Sequence, residues 1–123
     1  MILELEPYKE QTKSEFRSYM WRIENDVYEK IDLTAKENNV YPSVVMRYII
    51  NWACDKMSTD KEFKKHILAL TLSKNYTGTK ERKMFRMSKN VNDKLTKTNE
   101  KYRLNNLSYF ANESARIFFE ENK

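Results

Sequence analysis

Twice along the chain, a short alternation of apolar and polar residues gives way to a helical period. In the first passage Tyr19, Trp21 and Ile23 fall on one side while Ser18, Met20 and Arg22 fall on the other. A period of two with aromatic and branched residues on one face predicts a half-buried strand. From Val27 the spacing lengthens to about 3.6, and Val27, Ile31 and Thr34/Ala35 form one stripe of a helix. Asn38-Asn39 predicts its end, because asparagine substitutes for glycine in the left-handed capping conformation. After Val40-Tyr41-Pro42, Ser43 reads as the N-cap of a second helix over 44–57. That helix is apolar on more than one stripe, at Val44, Val45, Ile49, Ile50, Trp52 and Met57 among others.

The second passage repeats the succession. Phe85 and Met87 oppose Arg82, Met84 and Arg86, then Val91, Leu95 and Thr98 mark a helical stripe. A second helix opens at Ser108 and carries Phe110, Ser114/Ala115, Ile117 and Phe118. Placing Trp21-Arg22-Ile23 on Phe85-Arg86-Met87 sets a shift of 64 residues, and one extra residue later makes it 65 and aligns Ser43 with Ser108. Lys83 interrupts the apolar face of the second alternation, which predicts a frayed or exposed strand end. Glu24-Asn25-Asp26 and Ser88 offer side-chain acceptors where the first helices of the two passages begin. Both later helices are apolar over more than one stripe and need cover from more than one direction, as at a dimer-like core.

These patterns divide the chain into residues 1–14, a flexible tail in which only Leu3 and Leu5 are candidates to dock; 15–57, the first copy; 58–81, a connector; and 82–123, the second copy. The connector predicts a helix over about 59–74, capped by Thr59/Asp60 and apolar at Phe63, Ile67, Leu68 and Leu70. A loop follows over 74–79 with the only glycine, Gly78. The expected class is mainly α with a short two-stranded antiparallel ribbon. About 24 intervening residues, at 1.5 Å each where helical and roughly 3.3 Å where extended, reach across a small domain. The ribbon is therefore expected to close within one chain.

Composition narrows the chemistry. One glycine and two prolines leave little punctuation for a sandwich or barrel. The single cysteine, Cys54, excludes an internal disulfide and the usual structural zinc sites, and its apolar helical setting predicts a buried, inert thiol. No metal or other cofactor is implied. One histidine, His66, lies among lysines and is expected to be solvated; with no phosphate-cradling glycine loop, the enzyme class is set aside. Met1-Ile2-Leu3 runs into Glu4 and Glu6 without the basic flank of a secretory leader, and no apolar run approaches about 20 residues, so a cytoplasmic protein with no membrane partner is expected. The net charge is +5, and residues 82–123 hold ten basic against five acidic side chains. A basic cluster of this kind suits a nucleic-acid partner.

Strand, helix, short turn and serine-started helix, in about 40 residues and in tandem, resemble the ribbon-helix-helix family typified by the Arc, MetJ and CopG repressors. The likeness rests on Tyr19–Ile23, Val27, Ile31, Ala35, Asn39-Val40 and Ser43–Ile50, and on Arg82–Met87, Val91, Leu95, Leu104 and Ser108–Ala115. It implies an intramolecular pseudo-dimer that binds double-stranded DNA sequence-specifically, with the ribbon in the major groove. Carried over by position, the base readers are Ser18, Met20 and Arg22 with Arg82, Met84 and Arg86. The phosphate contacts are the helix-start amides of Ser43, Val44, Ser108 and Tyr109, joined by Lys89 and Lys94. The single-chain tandem form looks most like TraY-type conjugation accessory proteins. That implies a plasmid or relaxosome role beside a relaxase or other DNA-processing protein, with higher assembly on DNA, or else transcriptional repression. The competing expectation is a protein-interaction adaptor, antitoxin-like or an assembly module, on the same fold. Unlike halves would favour an asymmetric site over a perfect palindrome.

Overall fold

The computed structural model describes residues 1–9, 16–71 and 80–123, the side chains of residues 70, 71 and 80 excepted. The chain is mainly helical with one two-stranded antiparallel sheet. Strand β1 (Phe16–Glu24) is followed by α1 (Asn25–Glu37), α2 (Pro42–Thr59) and α3 (Lys61–Thr71); then come β2 (Lys80–Ser88), α4 (Lys89–Tyr102) and α5 (Leu107–Glu121). A strand followed by two helices thus occurs twice, with α3 between the runs. The extra residue of the second run falls inside α4, which has 14 residues against 13 in α1.

β1 and β2 pair within the chain along their whole length, with Met20 opposite Met84 at the centre. The inward face carries Trp21, Ile23, Phe85 and Met87, all buried. Beneath it α5 packs on β1 and α2 packs on β2, so each second helix lies on the strand of the other run, and α2 and α5 also meet. The core formed this way includes Val45, Ile49, Ile50, Phe110, Ala111 and Phe118. Two strands alone are marginal in water, and the helices supply the apolar surface the ribbon lacks.

Lys83 is not at a frayed end. It lies within β2 opposite Trp21, its ammonium 4.4 Å from the centre of the Tyr28 ring and 3.3 Å from the Glu81 carboxylate. The long stem covers apolar surface while the charge finds a ring face and an anion. Helix starts also depart from expectation. Neither Glu24 nor Ser88 caps through its side chain. Ser43 and Ser108 are not N-caps either; those positions are Tyr41, with Pro42 following, and Asn106, whose Oδ1 accepts from the Tyr109 N–H at 3.2 Å. The α1 stop is as expected. Asn39 has φ 56°, and Val40 N–H and Asn39 N–H donate to the carbonyls of Ala35 and Lys36.

The connector helix α3 starts at Lys61, two residues later than expected, and the expected helical residues 72–74 lie outside the described residues. The Asp60 carboxylate caps it, accepting from the N–H groups of Glu62 and Phe63 at 3.1 Å each, while the Thr59 hydroxyl donates to the Asp55 carbonyl. Phe63 and Ile67 are buried; the Leu70 side chain and the expected loop over 74–79 lie outside the described residues. The expected tail is docked over its first nine residues. Leu5 is 4% exposed within the core, Leu3 N–H donates to Asn38 Oδ1, and the Met1 ammonium sits 2.5 Å from Glu37. Burying one leucine stabilises by about 2 kcal/mol, enough to hold a short segment. Residues 10–14 lie outside the described set.

Candidate nucleic-acid interface

A two-stranded ribbon has two edges, and every backbone N–H and C=O pointing away from the partner strand needs another partner. Here the helices supply four of them. Arg22 N–H donates to Ser108 Oγ at 3.2 Å, and Arg86 N–H donates to Ser43 Oγ at 3.1 Å. Glu24 N–H donates to Asn112 Oδ1 at 2.9 Å, and the Arg86 carbonyl accepts from Arg47 Nε at 2.7 Å. The second residue of each long helix thus closes the edge of the opposite run's strand. Because the Arg22 and Arg86 amides point outward from the ladder, their rows are non-hydrogen-bonded pairs. In such pairs opposing Cα atoms are only about 4.5 Å apart and side chains are closest.

Those rows form the exposed face. Ser18 lies opposite Arg86, Met20 opposite Met84, and Arg22 opposite Arg82. All six expected readers are exposed, and the two central methionines are 56% and 61% exposed. Two arginines directly opposite repel each other and destabilise an isolated ribbon. Neither guanidinium of that pair has a side-chain partner among the described residues. Arg86 differs: its guanidinium lies over the Phe16 ring at 4.5 Å, and Arg47 lies over the same ring at 4.8 Å.

A cleft of about 470 Å³ opens beside β2, bounded by Tyr41, Ser43, Val44, Met84 and Arg86 among others. The start of α2 therefore adjoins the exposed strand face. Of the four helix-start amides, Val44 N–H donates to the Tyr41 carbonyl at 3.0 Å and Tyr109 N–H to Asn106, leaving the serine amides as the better anion donors. Lys89 is exposed at the first turn of α4. Lys94 is not brought to this face. Its ammonium is held by Asp55 at 2.5 Å and Asn51 at 2.9 Å. Those residues lie 8 to 12 positions along α2 from Ser43, about 12–18 Å at the helical rise.

Neither a protein-family model nor a curated protein nor a solved structure matches this chain.

Four further residues shape the face without having been singled out. Arg47 is 1% exposed and also donates to the Tyr8 carbonyl at 2.7 Å, tying the N-terminal segment to β2. A lone charge inside the apolar run Val44–Ile50 was the available signal, since a buried arginine must have partners. Asn112, at the matching position of α5, is fully buried and also donates to the Glu24 carboxylate. Arg17 is exposed with its guanidinium 5.2 Å from the Tyr19 ring, and Phe16 begins the strand one turn of the pleat earlier than expected.

Away from this face, His66 is not merely solvated: its Nε2 lies 2.9 Å from Glu113, which also pairs with Arg116. Burial pushes the Cys54 thiol up to about 11, so it stays protonated and unreactive at neutral pH. Among the described residues no group of His, Cys, Asp and Glu is arranged to hold a metal ion. No helix there is long and apolar enough to cross a membrane.

Proposed function

We propose that this chain binds double-stranded DNA by laying the β1–β2 ribbon in the major groove, its two strand-helix-helix runs acting as fused ribbon-helix-helix copies. The observation that carries this reading is the register of the exposed face. Arginine-bearing pairs flank a methionine pair, and one of them sets Arg22 directly against Arg82. A polyanion turns that repulsion into attraction. The major groove is about 12 Å wide and admits a two-stranded ribbon, whereas the A-form groove of RNA does not. Arginine can grip guanine O6 and N7 with two donors, and methionine can pack on a thymine methyl. Backbone phosphates would then meet the serine amides of α2 and α5, with Lys89 nearby.

Selection of bound duplexes from a random pool, followed by titration of the recovered site against salt, tests the proposal. Binding should weaken steeply with salt as counterions are released. Arg22→Ala or Arg86→Ala should each lose about 1–3 kcal/mol at the selected site, with thermal stability nearly unchanged because both are exposed. Absence of any preferred duplex would favour an adaptor that uses the same face for a protein. Where the selected motif falls in the source genome then separates a plasmid or conjugation role from repression.

A further inference from the structure

We infer that the Ser18–Arg82 difference gives the DNA site a direction, with a two-guanine half-site under one end of the ribbon and a one-guanine half-site under the other. The inference rests on the duplex-binding reading and adds which residues set the polarity.

The register makes the argument. The 64-residue shift maps Ser18 onto Arg82, Met20 onto Met84 and Arg22 onto Arg86. The pairing sets Met20 against Met84, Arg22 against Arg82, and Ser18 against Arg86. A rotation about the methionine pair therefore exchanges the strands and superposes like on like, with one exception. Arg22 meets its counterpart Arg86, but Arg82 meets a serine. One end of the face presents two guanidinium groups side by side, both without side-chain partners among the described residues. The other presents Arg86, its guanidinium over the Phe16 ring at 4.5 Å, beside the short hydroxyl of Ser18.

The chemistry at the two ends is unequal. A bidentate arginine discriminates strongly for guanine, while a serine hydroxyl donates to or accepts from any base and adds little choice. Reversing the protein on its site would place Ser18 over a guanine that Arg82 should hold. The penalty for reversal is therefore one arginine–guanine contact, on the order of 10- to 100-fold in affinity. The centre does not contribute to direction, because Met20 and Met84 are identical and both exposed.

The test uses three full-length proteins and one random duplex pool. The unaltered chain should select a motif whose halves differ, richer in guanine on one side. Ser18→Arg makes the two ends alike and should select an inverted repeat with guanine-rich halves. Arg82→Ser makes them alike in the opposite sense and should select a weaker inverted repeat with one guanine per half. Both positions are exposed, and arginine opposite arginine is an arrangement the ribbon already holds. Should Ser18→Arg fail to fold, the motif selected by Arg82→Ser still decides the matter. If the folded variants bind DNA but keep the parent's asymmetric motif, the inference is overturned and duplex binding stands. If none of the proteins selects a duplex, duplex binding itself fails and takes this inference with it.

Discussion

The two strand-helix-helix runs solve the same problem with different side chains. Each long helix must satisfy the free edge of the other run's strand, and each does so first with a serine at its second position, Ser43 or Ser108. One turn deeper they diverge. α2 uses Arg47, buried and bonded to the carbonyls of Arg86 and Tyr8, whereas α5 uses Asn112, bonded to both the amide and the carboxylate of Glu24. An arginine reaches farther and donates more bonds than an asparagine, so only the first side can also hold the N-terminal segment. The comparison teaches that the repeated part is the edge closure, and that the departures from repetition mark where the chain has attached something else.

The largest test of this contrast is a pair of truncations. Arg47→Ala should cost about 3–5 kcal/mol, because two partly buried carbonyls lose their donor and a large buried side chain leaves a void. Asn112→Ala should cost less, about 1–3 kcal/mol. Urea denaturation measures both, and equal losses would mean the extra span of Arg47 contributes nothing. Arg47→Ala should also speed hydrogen exchange in residues 3–9, which Asn112→Ala should leave alone.

The serines should behave alike where the deeper residues do not. Ser43→Ala and Ser108→Ala should each cost about 1 kcal/mol. Amide exchange should quicken at Arg86 in the first variant and at Arg22 in the second. Acceleration at the strand of the same run instead would show that the helices are paired with the wrong strands.

How much of this was legible depended on how densely a pattern was written. The two alternations and the helical stripes from Val27 and Val91 repeat over many residues, and the six exposed ribbon positions followed from them. Ser43 and Ser108 read as N-caps, but their hydroxyls accept from strand amides instead. A serine hydroxyl near a helix start serves equally as an N-cap or as an acceptor for a neighbouring strand, and only the pairing of helix with strand decides which. Leu5 is legible only as a candidate to dock, because one apolar residue among charges carries no period that would place it in the core. Lys94 looked like its basic neighbours, because nothing local reveals that Asp55 lies across from it.

The smallest expected effect concerns the like-charged pair. Arg82→Ala should stabilise the free protein by a few tenths of a kcal/mol, by relieving repulsion from Arg22 directly opposite. The same change should weaken duplex binding. A thermal melt and a binding titration on one sample supply both signs; a loss of stability would mean the Arg22–Arg82 row is held by contacts other than the one assigned.

The central claim is that the outward ribbon face meets DNA, and the methionines report on it directly. Of six in the chain, Met20 and Met84 stand exposed at the ribbon centre, while Met46, Met57 and Met87 are buried in the core. Methyl-labelled protein titrated with the selected duplex should show the Met20 and Met84 signals shifting together at saturation, with the three core methyls nearly still. DNA binding with Met20 and Met84 unmoved would contradict the account, because the duplex would then lie on another surface.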